Sequence, residues 1–278
     1  MSLLDRAALH QAKGEAFALA TVVRTVAVTA AKAGAKALIA PDGSIEEGWI
    51  GGGCARAAVI KAARQSILDG RARLVSITPQ ELLADLGVAP GEDRGGVIYA
   101  KNSCPSQGTM DIFVEPVLPM PQLLILGASP VALALARLAP AMGFAVSVAA
   151  AAAELARFEG PCQKWDGYSL PQGLVKGGFV VVSTQGAGDR AALKAVAGLD
   201  PAYCAFVGSR RKAAALRAEL AGEGVARAKL DAVKAPAGLD ISAITSEEIA
   251  LSILAEIVAA RRNAQRAEAP ANSGAQTP

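Results

Sequence analysis

Leu123-Leu124-Ile125-Leu126-Gly127-Ala128-Ser129-Pro130-Val131-Ala132 decides the fold of the C-terminal half of this chain. Four large apolar residues run into a glycine turn, and a proline then sits in the first turn of a helix. That is the setting of a dinucleotide-binding strand-turn-helix. Downstream, strands at Val146–Ala149, Val180–Ser183 and Ala205–Val207 alternate with helices at Val131–Met142, Arg190–Val196 and Lys212–Leu220. Alternation of this kind predicts an α/β domain, a Rossmann-like doubly wound parallel sheet. A last helix opens on the capping-box spacing Thr245-Ser246-Glu247-Glu248 and buries Ile249, Ile253 and Ile257 on one face. It closes on Arg261-Arg262, where cations suit the helix dipole. Residues 263–278 are poor in apolar side chains and are expected to form a disordered tail.

The glycine turn departs from a working dinucleotide site in two places. Ser129 stands where a second glycine would let backbone meet pyrophosphate; its hydroxyl can bond a phosphate, but the approach is less open. The second strand ends in alanines, with Glu154 arriving late, so no carboxylate is placed for a ribose. The fold is therefore expected without productive NAD binding. Gly208-Ser209-Arg210-Arg211-Lys212 follows a strand and opens a helix, which suits a phosphate or an acidic partner as well as it suits a solvated basic face.

Working upstream, three prolines in Pro116-Val117-Leu118-Pro119-Met120-Pro121 make a stiff connector. The domain boundary is placed there, giving domains over 1–117 and 118–262. The first reads as mixed α+β: a helix over 3–14, a strand over Ala16–Thr25, and two strands within Lys36–Ile50 around the turn Pro41-Asp42-Gly43. An amphipathic helix, Ala55–Leu68, stops at Gly70, and strands follow near Leu74–Ile77, Val97–Ala100 and Thr109–Glu115.

Chemistry in this half is concentrated in two glycine-flanked cysteine loops, Gly51-Gly52-Gly53-Cys54 and Asn102-Ser103-Cys104-Pro105-Ser106-Gln107-Gly108. Small residues let backbone N–H groups approach a ligand, and each loop presents one thiol. Cys54 stands at a helix start, which favours its thiolate. Trp49 either stacks on a ligand or packs. Cys204, in an apolar strand, is read as inert, and Cys162 as a loop thiol. The four cysteines contain no CxxC pair and give no disulfide framework, so a reducing cytoplasm is expected.

Composition excludes several classes. Among 278 residues, 28 Lys and Arg against 25 Asp and Glu leave a net charge of +3, too small to argue for nucleic acid. The single histidine, His10, excludes His-based triads and HExxH zinc sites, and is read as a surface or packing residue. The N-terminus lacks the apolar core of a signal peptide, and the most apolar stretch, 123–153, is broken by Gly and Pro. A soluble protein without stable membrane insertion is expected.

Five segments in order carry a family resemblance. They are Gly48-Trp49-Ile50-Gly51-Gly52-Gly53-Cys54, the Cys104 loop with Phe113-Val114-Glu115-Pro116, Gly208-Ser209-Arg210-Arg211-Lys212, Ala235-Pro236-Ala237-Gly238-Leu239-Asp240-Ile241, and Ser246–Ile257. Together they resemble the XdhC/CoxI family of xanthine dehydrogenase and aerobic carbon monoxide dehydrogenase accessory proteins. The resemblance implies a maturation chaperone rather than an enzyme. It would bind molybdenum cofactor, as molybdopterin or a dinucleotide form, protect it while a cysteine desulfurase supplies sulfur, and deliver it to an apo-molybdenum hydroxylase. The implied cofactor contacts are Gly51, Gly52, Gly53, Cys54, Cys104, Ser106, Gln107, Gly127, Ser129, Gly208, Ser209 and Arg210, with no catalytic and no resident metal-ligating residue. The chain departs from the family pattern at Ala55-Arg56, at Ala30-Ala31-Lys32, at Pro105-Ser106-Gln107, and at Thr184–Asp189, where a His-Asp pair often stands. A homodimer is compatible with these features. An NAD(P)-dependent oxidoreductase and a ligand-free docking scaffold are the alternatives.

Overall fold

The computed structural model describes residues 2–105, 107–171 and 173–268. The described residues divide into two compact units, one over 2–119 with 264–268 and the other over 120–263.

In the first unit, helix α1 (Leu3–Lys13) is capped at both ends, by the Ser2–Asp5 capping box and by left-handed Gly14. Strands β1 (Phe17–Val26), β2 (Lys36–Ile39) and β3 (Ile45–Gly48) follow, then helix α2 (Gly53–Asp69) and strand β4 (Arg73–Pro79). Helix α3 (Gln80–Leu86), the two-residue β5 (Asp93–Arg94), β6 (Val97–Asn102) and β7 (Thr109–Val117) complete the unit. The sheet order is β3-β2-β1-β7-β4-β6-β5, and β7 runs antiparallel to both β1 and β4. Alternate residues of β1 and β7 (Ala18, Ala20 and Val22; Met110, Ile112 and Val114) face one side and bury Val59, Ala62 and Ala63 of α2. The connector begins inside this sheet, because Pro116 still pairs with Ala18 at the end of β7.

The second unit holds β8 (Gln122–Leu126), α4 (Pro130–Leu138), β9 (Ala145–Ala150), α5 (Ala152–Leu155), β10 (Cys162–Asp166), β11 (Phe179–Val182), α6 (Asp189–Ala197), β12 (Tyr203–Phe206), α7 (Arg210–Gly222), α8 (Arg227–Asp231) and α9 (Ser246–Glu268). All five strands are parallel, in the order β10-β9-β8-β11-β12. This is a Rossmann-like doubly wound sheet, with its topological switch between β8 and β11. Apolar cores lie on both faces, one built on α4 and α9, the other on α6, α7 and α8.

Three expectations are corrected. Cys162 is not in a loop; it starts the edge strand β10 and pairs with Val146. The helix predicted over Val131–Met142 tightens into a 3-10 turn at Ala139–Met142, where Pro140 has no N–H to give. Helix α9 passes Arg262 and runs to Glu268, so the first six residues of the expected tail are helical; residues 269–278 lie outside the described residues. Among the described residues, no helix is long and apolar enough to cross a membrane.

Candidate functional site

The two cysteine loops meet in the first unit. Gly51, at φ +112°, turns the chain from β3 into α2 and needs glycine for that backbone. Gly52 is the extended N-cap of α2, at φ −90° and ψ −174°, and offers no side chain to the orphan N–H groups. A Cβ built on Gly52 or Gly53 would meet nothing within 4 Å. Neither backbone strain nor crowding within the chain accounts for these two glycines. They leave an open floor at a helix N-terminus.

Asn102, the last residue of β6, shapes the opposite loop. Its side-chain amide donates to the Gly108 carbonyl (2.6 Å), and its oxygen accepts from the Cys104 N–H (2.9 Å). Gln107 N–H donates to the Cys104 carbonyl (3.1 Å), closing a turn whose Gln107 lies at φ +50°. Gly108 packs so tightly that a Cβ would stand 2.2 Å from the Val28 carbonyl oxygen. Cys104 is exposed and Gln107 faces solvent; Ser106 lies outside the described residues.

Contact between the loops runs through Ser103. Its N–H and its hydroxyl both donate to the Cys54 sulfur, and with Lys101 nearby they hold the Cys54 thiol below its ordinary value. Gly52 and Cys104 line one hollow together with Thr29, Ala30, Ala55, Ile77, Asn102 and Met110. Its volume is about 30 Å³, close to the share one water takes in the liquid. Ligand pockets enclosing a whole cofactor run to several hundred Å³. A cofactor-sized molecule would therefore lie over this floor rather than inside it. Trp49 is 53% exposed, so packing does not explain it.

Sequence reasoning placed Cys54 and Cys104 but missed Asn102 and Ser103 as the residues that join them. The Asn two residues before Cys104 is the spacing of an Asx turn, a readable signal. The Ser103–Cys54 contact spans distant sequence and had none.

The second unit gathers its candidates at the carboxyl end of its sheet. Gly127, at φ +104°, is required, since a Cβ there would stand 2.5 Å from the Ser183 carbonyl oxygen. Ser129 is buried, 8% exposed; its Oγ accepts from the Ala132 N–H (3.2 Å) and lies 2.7 Å from Ser183 Oγ. The hydroxyl expected to face a phosphate is instead tied across the topological switch. Strand β9 ends in Ala149-Ala150 with Ala151 after it. Beyond β11, burial opposes ionisation of Asp189, but its bonds from Lys212, Thr184 and the Gly186 N–H outweigh that and hold its carboxyl below the usual range. Gly208 sits against the Phe206 ring, and Ser209 caps α7 by accepting from the Lys212 N–H (3.2 Å). Arg210 and Arg211 are exposed at the same helix end.

Helix α9 is tied to its unit by Glu256, a residue the sequence did not single out. Its carboxylate accepts from Tyr203 Oη (2.5 Å) and the Gly238 N–H (2.8 Å) and pairs with Lys234.

Two family models match this chain. One, described as the XdhC and CoxI family, covers residues 10–78. The other, described as the XdhC Rossmann domain, covers residues 123–257. YqeB of Escherichia coli K12, itself described as uncharacterized, is 29% identical over 272 residues, which is 95% of this chain and 47% of YqeB. The chain thus spans about half the length of that relative. A crystal structure described as a xanthine dehydrogenase from Bacillus halodurans is 19% identical, covers 98% of this chain and 99% of its own, and has a TM-score of 0.48.

Proposed function

The chain belongs to the XdhC and CoxI family, whose two domain models it carries in order, and on that premise we propose that it binds molybdenum cofactor and hands it to an apo-molybdenum hydroxylase. The family is an accessory and maturation family. One observation carries the proposal. Gly52 of the glycine floor, at the start of the helix that carries Cys54, and Asn102 and Cys104 of the second loop, distant in sequence, line one hollow.

The residues present fit such a group. Gly52 and Gly53 leave N–H donors of a helix N-terminus open to a phosphate. Cys54 and Cys104 offer soft sulfur beside them, and Trp49 a flat exposed ring. When bound, the cofactor supplies the molybdenum and sulfur chemistry; the chain orients and shields it. In the second unit, Gly208, Ser209 and Arg210 suit a phosphate or an acidic segment, whereas the Ser129 hydroxyl is already bonded to that of Ser183. Cytoplasmic action and sulfur supply by a cysteine desulfurase belong to the same proposal.

The test is purification from cells making molybdenum cofactor, followed by release and fluorescence of oxidised pterin. Pterin is expected in proportion to protein in the wild type and depleted several-fold in Gly53→Ala and Cys54→Ala. Pterin no richer than on an unrelated control protein would sink the proposal.

A further inference from the structure

Two segments that carry the family resemblance, 235–241 and 246–257, take no part in the cysteine loops. They build an apolar surface on the second unit. Ile244 is 86% exposed, and Leu239, Ile241 and Leu251 are each close to half exposed. Met120 and Met142 are the only other exposed large apolar side chains described in that unit. The loop bearing the first three doubles back along the start of α9. Leu239 N–H donates to the Ser252 carbonyl (3.2 Å), and the Glu248 carboxylate accepts from the N–H groups of Ile244 (2.8 Å) and Thr245 (2.9 Å). From Ser246 to Ser252 the helix makes two turns, about 10 Å, so the four side chains share one short stretch of surface. That loop is fixed in place. Asp240 accepts from the Ser242 N–H (3.3 Å), Ser242 lies at φ +58°, and Gly238 leaves no room for a Cβ beside Ser252 Oγ. Single apolar side chains at a surface need no explanation, but four held together mark a place that another surface covers.

Charge at the rim decides what that other surface is. Between Lys234 and Arg261 the sequence has no cation. Arg137 and Lys234, which reach this region, are already matched, Arg137 with Glu247 (3.0 Å) and Lys234 with Glu256. Asp240 and Glu248 are exposed and make no ion pair among the described residues, so uncompensated negative charge borders the apolar side chains. A second copy of the chain docking through the same face would set these carboxylates against their own counterparts. An anionic lipid surface or a nucleic acid would meet the same repulsion. A protein surface with an apolar centre ringed by Lys and Arg gains attraction at the rim and burial at the centre. We propose that Leu239, Ile241, Ile244 and Leu251 dock such a basic-rimmed protein surface, and that it belongs to the apo-hydroxylase receiving the cofactor. Ile244, the most exposed of the four, is the anchor that the partner's apolar centre covers. The partner's identity rests on the handover reading above; the chemistry of the surface does not.

The test measures association of the full-length chain with an apo-hydroxylase made in cells lacking molybdenum cofactor. One arm uses a hydroxylase of the xanthine dehydrogenase type and the other one of the carbon monoxide dehydrogenase type. A complex is expected in one arm, weakening as salt is raised. Ile244→Asp should weaken it about tenfold or more, and Asp240→Lys several-fold. Leu4→Asp, at an exposed apolar residue of the first unit, should bind as the wild type does. Wild-type affinity in both Ile244→Asp and Asp240→Lys overturns the docking surface, as does an equal loss in Leu4→Asp. Hydrogen exchange on the wild-type complex decides even if a variant fails to fold: slowing over 239–251 is expected, and slowing only elsewhere overturns the surface. Self-association of the wild type that Ile244→Asp abolishes would make the occupant a second copy, and would overturn the proposal. A complex that ignores these residues sinks only this inference. No complex with either hydroxylase sinks the handover reading, and this partner with it.

Discussion

Asn102 settles the geometry of the thiol pair with a single side chain. Its two bonds, to Gly108 and to Cys104, hold Ser103 where it can donate to Cys54. Asn102→Ala is expected to cost about 1–2 kcal/mol and to return Cys54 towards ordinary thiol behaviour. The check is the pH dependence of alkylation. In the wild type, Cys54 reacts at a lower pH than an unperturbed thiol, and in Asn102→Ala that advantage is lost. Cys204 should stay unmodified in the native protein at mildly alkaline pH, since burial holds it protonated. Equal alkylation of Cys54 and Cys204 would contradict both assignments. At this scale the sequence exposed the cysteines and glycines, because their types are unusual. It hid Asn102 and Ser103, whose types are common and whose partners are remote.

At the scale of elements, two glycines in similar sequence settings behave oppositely. Gly127→Ala forces a Cβ into the Ser183 carbonyl at a backbone angle that favours glycine, and should cost on the order of 2–4 kcal/mol. Gly53→Ala enters open space inside a helix and should be neutral or stabilising by up to about 1 kcal/mol, while pterin binding falls. Urea denaturation of both variants separates the two cases. A destabilised Gly53→Ala would show that the glycine floor serves the fold rather than a ligand. Most elements were legible from periodicity and turn residues, including α1 to its Gly14 cap and the β2–β3 hairpin. Strand β10 was not, because Gln163, Lys164 and Asp166 make it a polar edge strand without an apolar run. Helix α9 overran its expected end because Ala, Arg, Gln and Glu are good helix formers.

On the scale of the whole molecule, each unit carries a buried carboxylate matched to a cation, Asp69 with Arg73 (2.5 Å) and Asp189 with Lys212. Burial opposes both charges, yet the bonds made by their partners prevail, and both carboxyls lie below the usual range. The unfolded chain therefore binds protons that the folded chain does not. Stability from these groups is complete above the ordinary carboxylate range and drains away as pH falls through the folded values. Thermal melts should show Tm falling with acid. Asp69→Asn and Asp189→Asn should each lower neutral-pH stability by about 1–3 kcal/mol and flatten the acid limb. An acid limb of unchanged steepness in both variants would assign it elsewhere.

Strand β7 has a consequence in time. It is the middle strand of the first sheet and the last of that sheet to leave the ribosome, with β1 on one flank and β4 on the other. Until residues 109–117 emerge, the nascent chain can hold only two half-sheets with bare inner edges, and α2 has no Met110, Ile112 or Val114 to lie on. Gly108 cannot lock against Val28 before then, so the turn bearing Cys104 is set only as the keystone strand slides home. The thiol pair is thus a late product of synthesis: a chain stalled short of that strand carries both cysteines and neither of their properties.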